Sequence, residues 1–449
     1  MNLFEIPIII VLILLVVGAF FFAYRSKDKA VFWNPLTMFA AVFAYYFLVG
    51  PAIALGFGVT SINGIDLRDV LWKPWLAGTL SLASIYIGFA IPAKRPRYKL
   101  LEGITPRNRD ILLTVFFVLF GLGVTGFLYD AYVSGQPIKN MLMPIHEGTT
   151  VDVSEAEREG FAAGNYLLLL IGAFIPAICV LSALTANLPT IARVLLVGIP
   201  AVQVELFYVS WGYRHRIVTL LTSLAATTYL ARGKRPHPGT LIAGTVGILM
   251  IAGAIVMTRS YGSGLDIRML SGVRLSQVFF QGFSDSGTFF TTALVMDAFP
   301  TTFPFSGLEP IWIAITLPVP RRLWPEKPLS SFLDQVGYLT GTSGQAVPVA
   351  GEHYVMAGWP GVIIGGLVIG LIYRRFWNFY RANPSNPMVM AIYAVSWALI
   401  FPVVNRGYLA QTLMEFFFTL LPLAVLYWVA KKSMLRRVGG STEVAQAGT

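Results

Sequence analysis

The chain has 449 residues, of which 56% are apolar and only 12% charged, with a mean hydropathy of +0.68. A soluble globular protein carries about 25% charged residues, and the 14% aromatic content excludes a disordered chain. The 33 Lys and Arg against 22 Asp and Glu give +11, which in a soluble protein would point to nucleic acid; in so apolar a chain it is first a question of membrane topology. Cys179 is the one cysteine, so no intrachain disulfide can form.

A spanning helix needs ~20 apolar residues. Uninterrupted apolar stretches predict eleven spans, at 3–24, 33–57, 71–92, 110–133, 161–184, 189–210, 217–231, 239–257, 359–373, 387–404 and 408–430. The first is expected to be an anchor with its N-terminus outside. It has Glu5 and no basic residue ahead of its apolar run, whereas Arg25, Lys27 and Lys29 follow it, the opposite of a cleavable signal peptide. From that start the loops alternate. Arg25 to Lys29, Lys94 to Arg109, Arg193, Arg232 to Arg235, Arg374 to Arg381 and Lys431 to Arg437 put 20 of the 33 basic residues inside. Six of the 13 outside lie in one long segment that the positive-inside rule leaves uncounted. The chain is therefore expected to be an all-α polytopic integral membrane protein of about 11 spans, a single transmembrane domain over 1–449 with a large outer loop at 258–358, and the surplus charge marks orientation rather than nucleic acid.

Two outer segments are more than connectors. Residues 134–160 are acidic, with Glu147, Asp152, Glu155, Glu157 and Glu159. Residues 258–358 are rich in Gly, Pro, Trp and Arg. Within them 275–299 is apolar but broken by Gln281, Asp285 and Asp297, and 308–319 is short and ends in Pro318-Val319-Pro320. Both are expected to lie at the membrane surface or dip in partway. No repeat of fixed period is visible, which weighs against an inverted-repeat transporter.

Ionisable groups near spans are functional candidates because each costs several kcal/mol to place in hydrocarbon. Gly212-Tyr213-Arg214-His215-Arg216 sets two guanidiniums and an imidazole in a short outer turn, where they suit phosphate oxygens and equally suit snorkelling to lipid. Pro320-Arg321-Arg322-Leu323-Trp324-Pro325-Glu326-Lys327-Pro328 has three prolines in nine residues. They fix an extended backbone that presents three cations beside an aromatic plane, or a rigid interfacial loop with a belt Trp. Gly351-Glu352-His353-Tyr354, followed by Gly358-Trp359-Pro360-Gly361, offers two adjacent proton acceptors at the mouth of the ninth span. Glu352 would also serve as a helix-start carboxylate. Arg259, Arg268, Arg274 and Arg406 add outer cations, and Glu205 and Glu415, in the outer halves of their spans, are expected to pair with arginines. The four histidines are scattered and no HExxH or Walker motif occurs, so no metal or cofactor is expected.

The arrangement of spans around one dominant outer loop, with the three motifs just quoted, resembles the Wzy-type O-antigen and exopolysaccharide repeat-unit polymerases of bacterial inner membranes. The resemblance implies a glycosyltransferase. Such an enzyme transfers a growing glycan from its undecaprenyl-diphosphate carrier to a sugar hydroxyl on the next lipid-linked repeat unit. It implies membrane lipid as its surroundings and a chain-length regulator and a flippase of the same pathway as partners. Outer cations would stabilise the leaving diphosphate: Arg214, Arg321 and Arg322 first, then Arg216, Arg259, Lys327 and Arg406. Related O-antigen ligases place a histidine just before a glycine-rich span, and Glu352 and His353 hold the similar place here. Glu352 is the expected base and His353 the alternative. A ligase of similar architecture, or a flippase that moves the lipid-linked unit without chemistry, are the rival readings; a flippase should bury polar groups through mid-span, whereas here they gather at the outer boundary.

The topology has a direct test. A phosphatase fused after Thr340 is expected to be active outside the cytoplasm and one fused after Gly440 to be inactive; the opposite pattern would invert the assignment.

Overall fold

Where water is excluded, every backbone N–H and C=O must find a partner within the chain, and the apolar runs of this protein do so as helices. A computed structural model describes residues 4–93, 106–134, 138, 142, 145–146, 166–210, 214–260, 264–319, 323–328, 330–341 and 346–446. The acidic stretch 147–160 lies outside these residues.

In chain order the helices are α1 (Glu5–Arg25), α2 (Pro35–Gly56), α3 (Trp72–Ala90), α4 (Pro106–Ser134), α5 (Leu167–Leu184), α6 (Thr190–Val209), α7 (Arg214–Ala231) and α8 (Pro238–Thr258). Then follow α9 (Leu275–Gln281), α10 (Thr288–Ala298), α11 (Glu309–Thr316), α12 (Ser331–Thr340), α13 (Val349–Ala382), α14 (Pro387–Asn405) and α15 (Leu409–Gln446). Among the described residues nine of these are long and apolar enough to cross a membrane, so the protein is an all-α polytopic membrane protein. Helices α3 and α7 occupy the expected 71–92 and 217–231 but are more polar. Their hydroxyls turn back on their own backbone, as Thr219 does to His215 O (2.7 Å) and Thr227 to Ser223 O (2.8 Å). Among the described residues strand structure is confined to two small pieces, the hairpin Ser61–Ile62 with Ile65–Asp66 and a three-stranded patch of Ile145–His146, Gly264–Asp266 and Arg259–Ser260.

Helix α14 organises the bundle. Asn386 caps it, its Oδ1 accepting from Met388 N (2.9 Å) and Val389 N (3.2 Å), and Pro387 takes the first turn, where no N–H is needed. Every residue from Pro387 to Ala398 is buried, as fits a helix apolar on all faces. One face, with Met390, Tyr393 and Trp397, joins the core built by α1, α2, α3, α10 and α13. The other, with Met388, Ala391 and Val395, joins the core of α4, α5, α6, α7 and α15.

Small residues let α3 and α13 approach. A Cβ on Gly366 would meet Ser81 O at 2.8 Å, one on Gly370 would strike Ile85 O, and one on Gly88 would strike Leu367 O. With no hydrophobic force between helices in lipid, such backbone contact supplies the packing.

The segment 275–299 is not one helix, and only its second half is buried: most residues of the first half are exposed. It breaks into α9 and α10, and ten of the eleven residues of α10 are buried among α2, α3, α12 and α13. Its Asp297 accepts from Lys73 Nζ of α3 at 2.7 Å. Helix α11 does lie at the surface. Leu308, Trp312 and Ile315 are exposed, while Ile313 and Ala314 pack on Ala410.

The loops with the basic residues assigned inside gather at one end of the bundle. Arg381 pairs with Asp28, Asn378 donates to Ala93 O (2.8 Å), Trp33 Nε1 to Lys234 O (3.5 Å), and Arg193 to Thr228 Oγ1 (3.2 Å).

Substituting Gly370→Leu is expected to cost about 1–3 kcal/mol by overpacking, seen as a lower Tm of the purified protein. Gly121→Leu, facing open space, should leave the Tm unchanged.

Candidate active site

The motif Gly351-Glu352-His353-Tyr354 with Gly358-Trp359-Pro360-Gly361 folds as a broken helix. Gly358 has φ +63° and Ala357 is also non-helical, so α13 is two arms, Val349–Met356 and the long remainder. Pro360 has no N–H for the Met356 carbonyl four residues back. Gly307 N supplies it instead (3.0 Å), and Ser306 N bonds the Val355 carbonyl (2.9 Å). The short arm folds onto the long one, with the His353 carbonyl against Gly361 and its ring against Gly365. Only glycine allows that approach. The His353 Nδ1 is buried with no hydrogen-bond partner. Trp359 stacks on Trp72 (6.1 Å between centroids) and meets Tyr354 edge-on (5.1 Å).

Glu352 is 1% exposed, and its Oε1 accepts from Leu409 N, the first residue of α15, at 2.9 Å. The carboxylate thus sits at the positive end of α15 as well as in the first turn of its own helix. Gly407 N bonds Val347 O (2.5 Å), so the link Arg406–Tyr408 is strapped to the short arm. Burial, and then the Glu352 and Glu309 carboxylates, hold the Tyr408 hydroxyl above its ordinary range.

The other side of that link faces the charge cluster. His215 Nε2 lies 3.3 Å from Glu415 Oε1. Arg216 and Arg406 both act electrostatically on Glu415, and Arg406, Arg216 and Arg214 on His215. Arg216 is buried, stands 5.9 Å from the Tyr208 ring centroid and acts electrostatically on Asp130 of α4. Tyr208 in turn donates to Ile171 O (3.0 Å). Glu415 is paired as its sequence position suggests. Glu205 is not: both its oxygens are buried without a hydrogen-bond partner.

Arg214, His215, Arg216 and Arg406 therefore come together, and Glu352 adjoins the link that carries Arg406, whereas His353 packs back against Gly361 and Gly365 of the long arm. Arg214, half-buried, heads an apolar groove between α7 and α8 lined by Ile217, Leu221, Ile248, Ile251 and Ile255. Lys327 is buried and donates to Leu317 O (2.7 Å) and Val319 O (3.0 Å), closing the loop after α11; two of its three donors are committed to backbone. Arg259 is in the strand Arg259–Ser260. Arg321 and Arg322 lie outside the described residues, as do Gly212 and Tyr213. Asp130 was not singled out by sequence, although a lone carboxylate in a span is the signal that would have found it.

No family model matches the chain, and neither a curated protein nor a solved structure is significantly similar to it.

Removing one partner of a buried ion pair costs about 3–5 kcal/mol, since it strands the other charge. Arg216→Met is therefore expected to destabilise the protein by that order, and Arg216→Met with Asp130→Asn and Glu415→Gln to recover much of the loss. Equal denaturation midpoints for Arg216→Met and the parent would refute this electrostatic compensation.

Proposed function

We propose that this protein is a membrane glycosyltransferase that polymerises undecaprenyl-diphosphate-linked repeat units into O-antigen or exopolysaccharide at the outer face of a bacterial inner membrane. The supporting observation is Arg214 beside a shallow apolar crevice between α7 and α8, with Arg406 in the same charge cluster and Glu352 bonded to the link that carries it. A lipid diphosphate has that form, two phosphates on a long apolar chain. Arg214, Arg406 and, where they reach it, Arg321 and Arg322 take the diphosphate. Arg216 is largely spent on Asp130 and Glu415 and positions the others.

The chemistry follows from those roles. The acceptor hydroxyl passes its proton to Glu352, or to His353 as the alternative base, as its oxygen bonds to the anomeric carbon of the donor. The bond from that carbon to the diphosphate oxygen breaks, and the arginines stabilise the charge that develops there. Neither a nucleotide sugar nor a metal takes part in this step.

The test is a glycan ladder in a strain lacking the gene, complemented with variants. Glu352→Gln keeps an oxygen for Leu409 N and should fold, yet lose about 10²- to 10⁴-fold of its activity, the usual worth of a general base. His353→Ala and Arg214→Ala should also shorten the ladder to single repeat units. Loss of all attached glycan with free polymer retained would make the protein a ligase. Normal ladders from all three variants would remove the site assignment.

A further inference from the structure

At the opposite end of the bundle the structure holds a second basic site, independent of the one above. Three separate segments wall a cavity of about 310 Å³: Lys27 to Ala30 after α1, Leu230 with Gly233 and Lys234 after α7, and Tyr380 near the end of α13. That volume is within the ~300–1,000 Å³ of small-ligand pockets.

The walls are fixed rather than loose. Asp28 Oδ1 accepts from Ala30 N (3.0 Å). Gly233, at φ +58°, donates to Leu230 O (3.0 Å) and Lys234 N to Tyr229 O (3.0 Å), a turn that only glycine adopts without strain. Trp33 Nε1 holds the Lys234 carbonyl (3.5 Å). The Tyr380 ring stacks on Tyr393 (4.7 Å).

The charge balance is one-sided. Asp28 is the one acid of the lining, and its Oδ2 is taken by Arg381. Lys27, Lys29 and Lys234 make no ion pair among the described residues, so three ammonium groups rim a concave site with their only local carboxylate already neutralised. Lysine presents a compact charge with three donors, suited to a phosphate's oxygens. Phe21 and Phe22 of α1, one turn away, are exposed on the outside of the bundle, where acyl chains would lie.

We propose that this cavity binds a phosphate-bearing anion, namely the headgroup of an anionic membrane lipid, at the end of the bundle that the charge distribution places in the cytoplasm. Basic pockets between helices on that side are where anionic headgroups gain most.

The experiment is native mass spectrometry of the full-length protein in neutral detergent, titrated with phosphatidylglycerol, phosphatidylcholine or inorganic phosphate. Phosphatidylglycerol should be retained and phosphatidylcholine should not. Lys27→Ala, Lys29→Ala and Lys234→Ala should each weaken retention about fivefold. Arg232→Ala, an equal loss of charge at the same end but outside the cavity, should change it little. Inorganic phosphate retained with the same lysine dependence would uphold the phosphate site and assign it to a soluble anion instead of a lipid. Equal retention of the two lipids, or lysine variants that behave like Arg232→Ala, would overturn the proposal. The three lysines are solvent-exposed, so their removal leaves the fold intact, which an unchanged Tm verifies.

Discussion

A helix interrupted inside an apolar bundle leaves carbonyls that water cannot reach, and each must be repaired by a donor from elsewhere in the chain. This constraint shapes the protein at its most irregular places. The break at Ala357–Gly358 and the missing N–H of Pro360 free the Val355 and Met356 carbonyls, which Ser306 and Gly307 then satisfy. The segment before α11 is thereby tied to the break in α13. The same logic acts in α2, where Pro51 cannot bond the Phe47 carbonyl and Trp75 of α3 donates to it instead, at 2.9 Å. A π-helical turn at Tyr45–Val49 absorbs the misfit. Irregular backbone thus turns local sequence breaks into contacts between distant helices.

The break also makes the site. Folding the short arm of α13 back places Glu352 against the start of α15, and the link that precedes α15 carries Arg406 into the cluster of His215, Arg216 and Glu415. A bundle this apolar can hold those charges only if they compensate one another. Arg216, with Asp130 and Glu415, forms the compensated interior, and Arg214 and Arg406 are the less buried members beside it. An arrangement of this kind keeps fixed cations ready for an anionic group without reorganisation when charge develops.

Much of the fold was legible because a run of ~20 apolar residues has one outcome in lipid: the boundaries predicted for 33–57, 110–133 and 387–404 fall within a few residues of α2, the apolar part of α4, and α14. The burial of α10 was not legible. An eleven-residue helix that follows Asp285 and carries Asp297 within it has the length of an interfacial helix, and only the distant Lys73 accounts for Asp297. The site was half legible. Gly-Trp-Pro-Gly was expected at the mouth of the ninth span, whereas α13 starts at Val349 and breaks there, and the scarcity of charge marked Arg214, Arg216 and Glu352. The partner of Glu352 is a backbone N–H 57 residues further on, and nothing local specifies it. Nor does any local pattern say that Arg216 faces Asp130, or that Glu205 goes without an arginine.

The most direct measurement is reconstitution. The purified protein in proteoliposomes, given undecaprenyl-diphosphate-linked repeat units and neither nucleotide sugar nor added metal, should yield lipid-linked chains of two or more repeats and release one undecaprenyl diphosphate per linkage formed. Repeat units that cross the bilayer or remain bound without elongation, and with no diphosphate carrier released, would contradict the account.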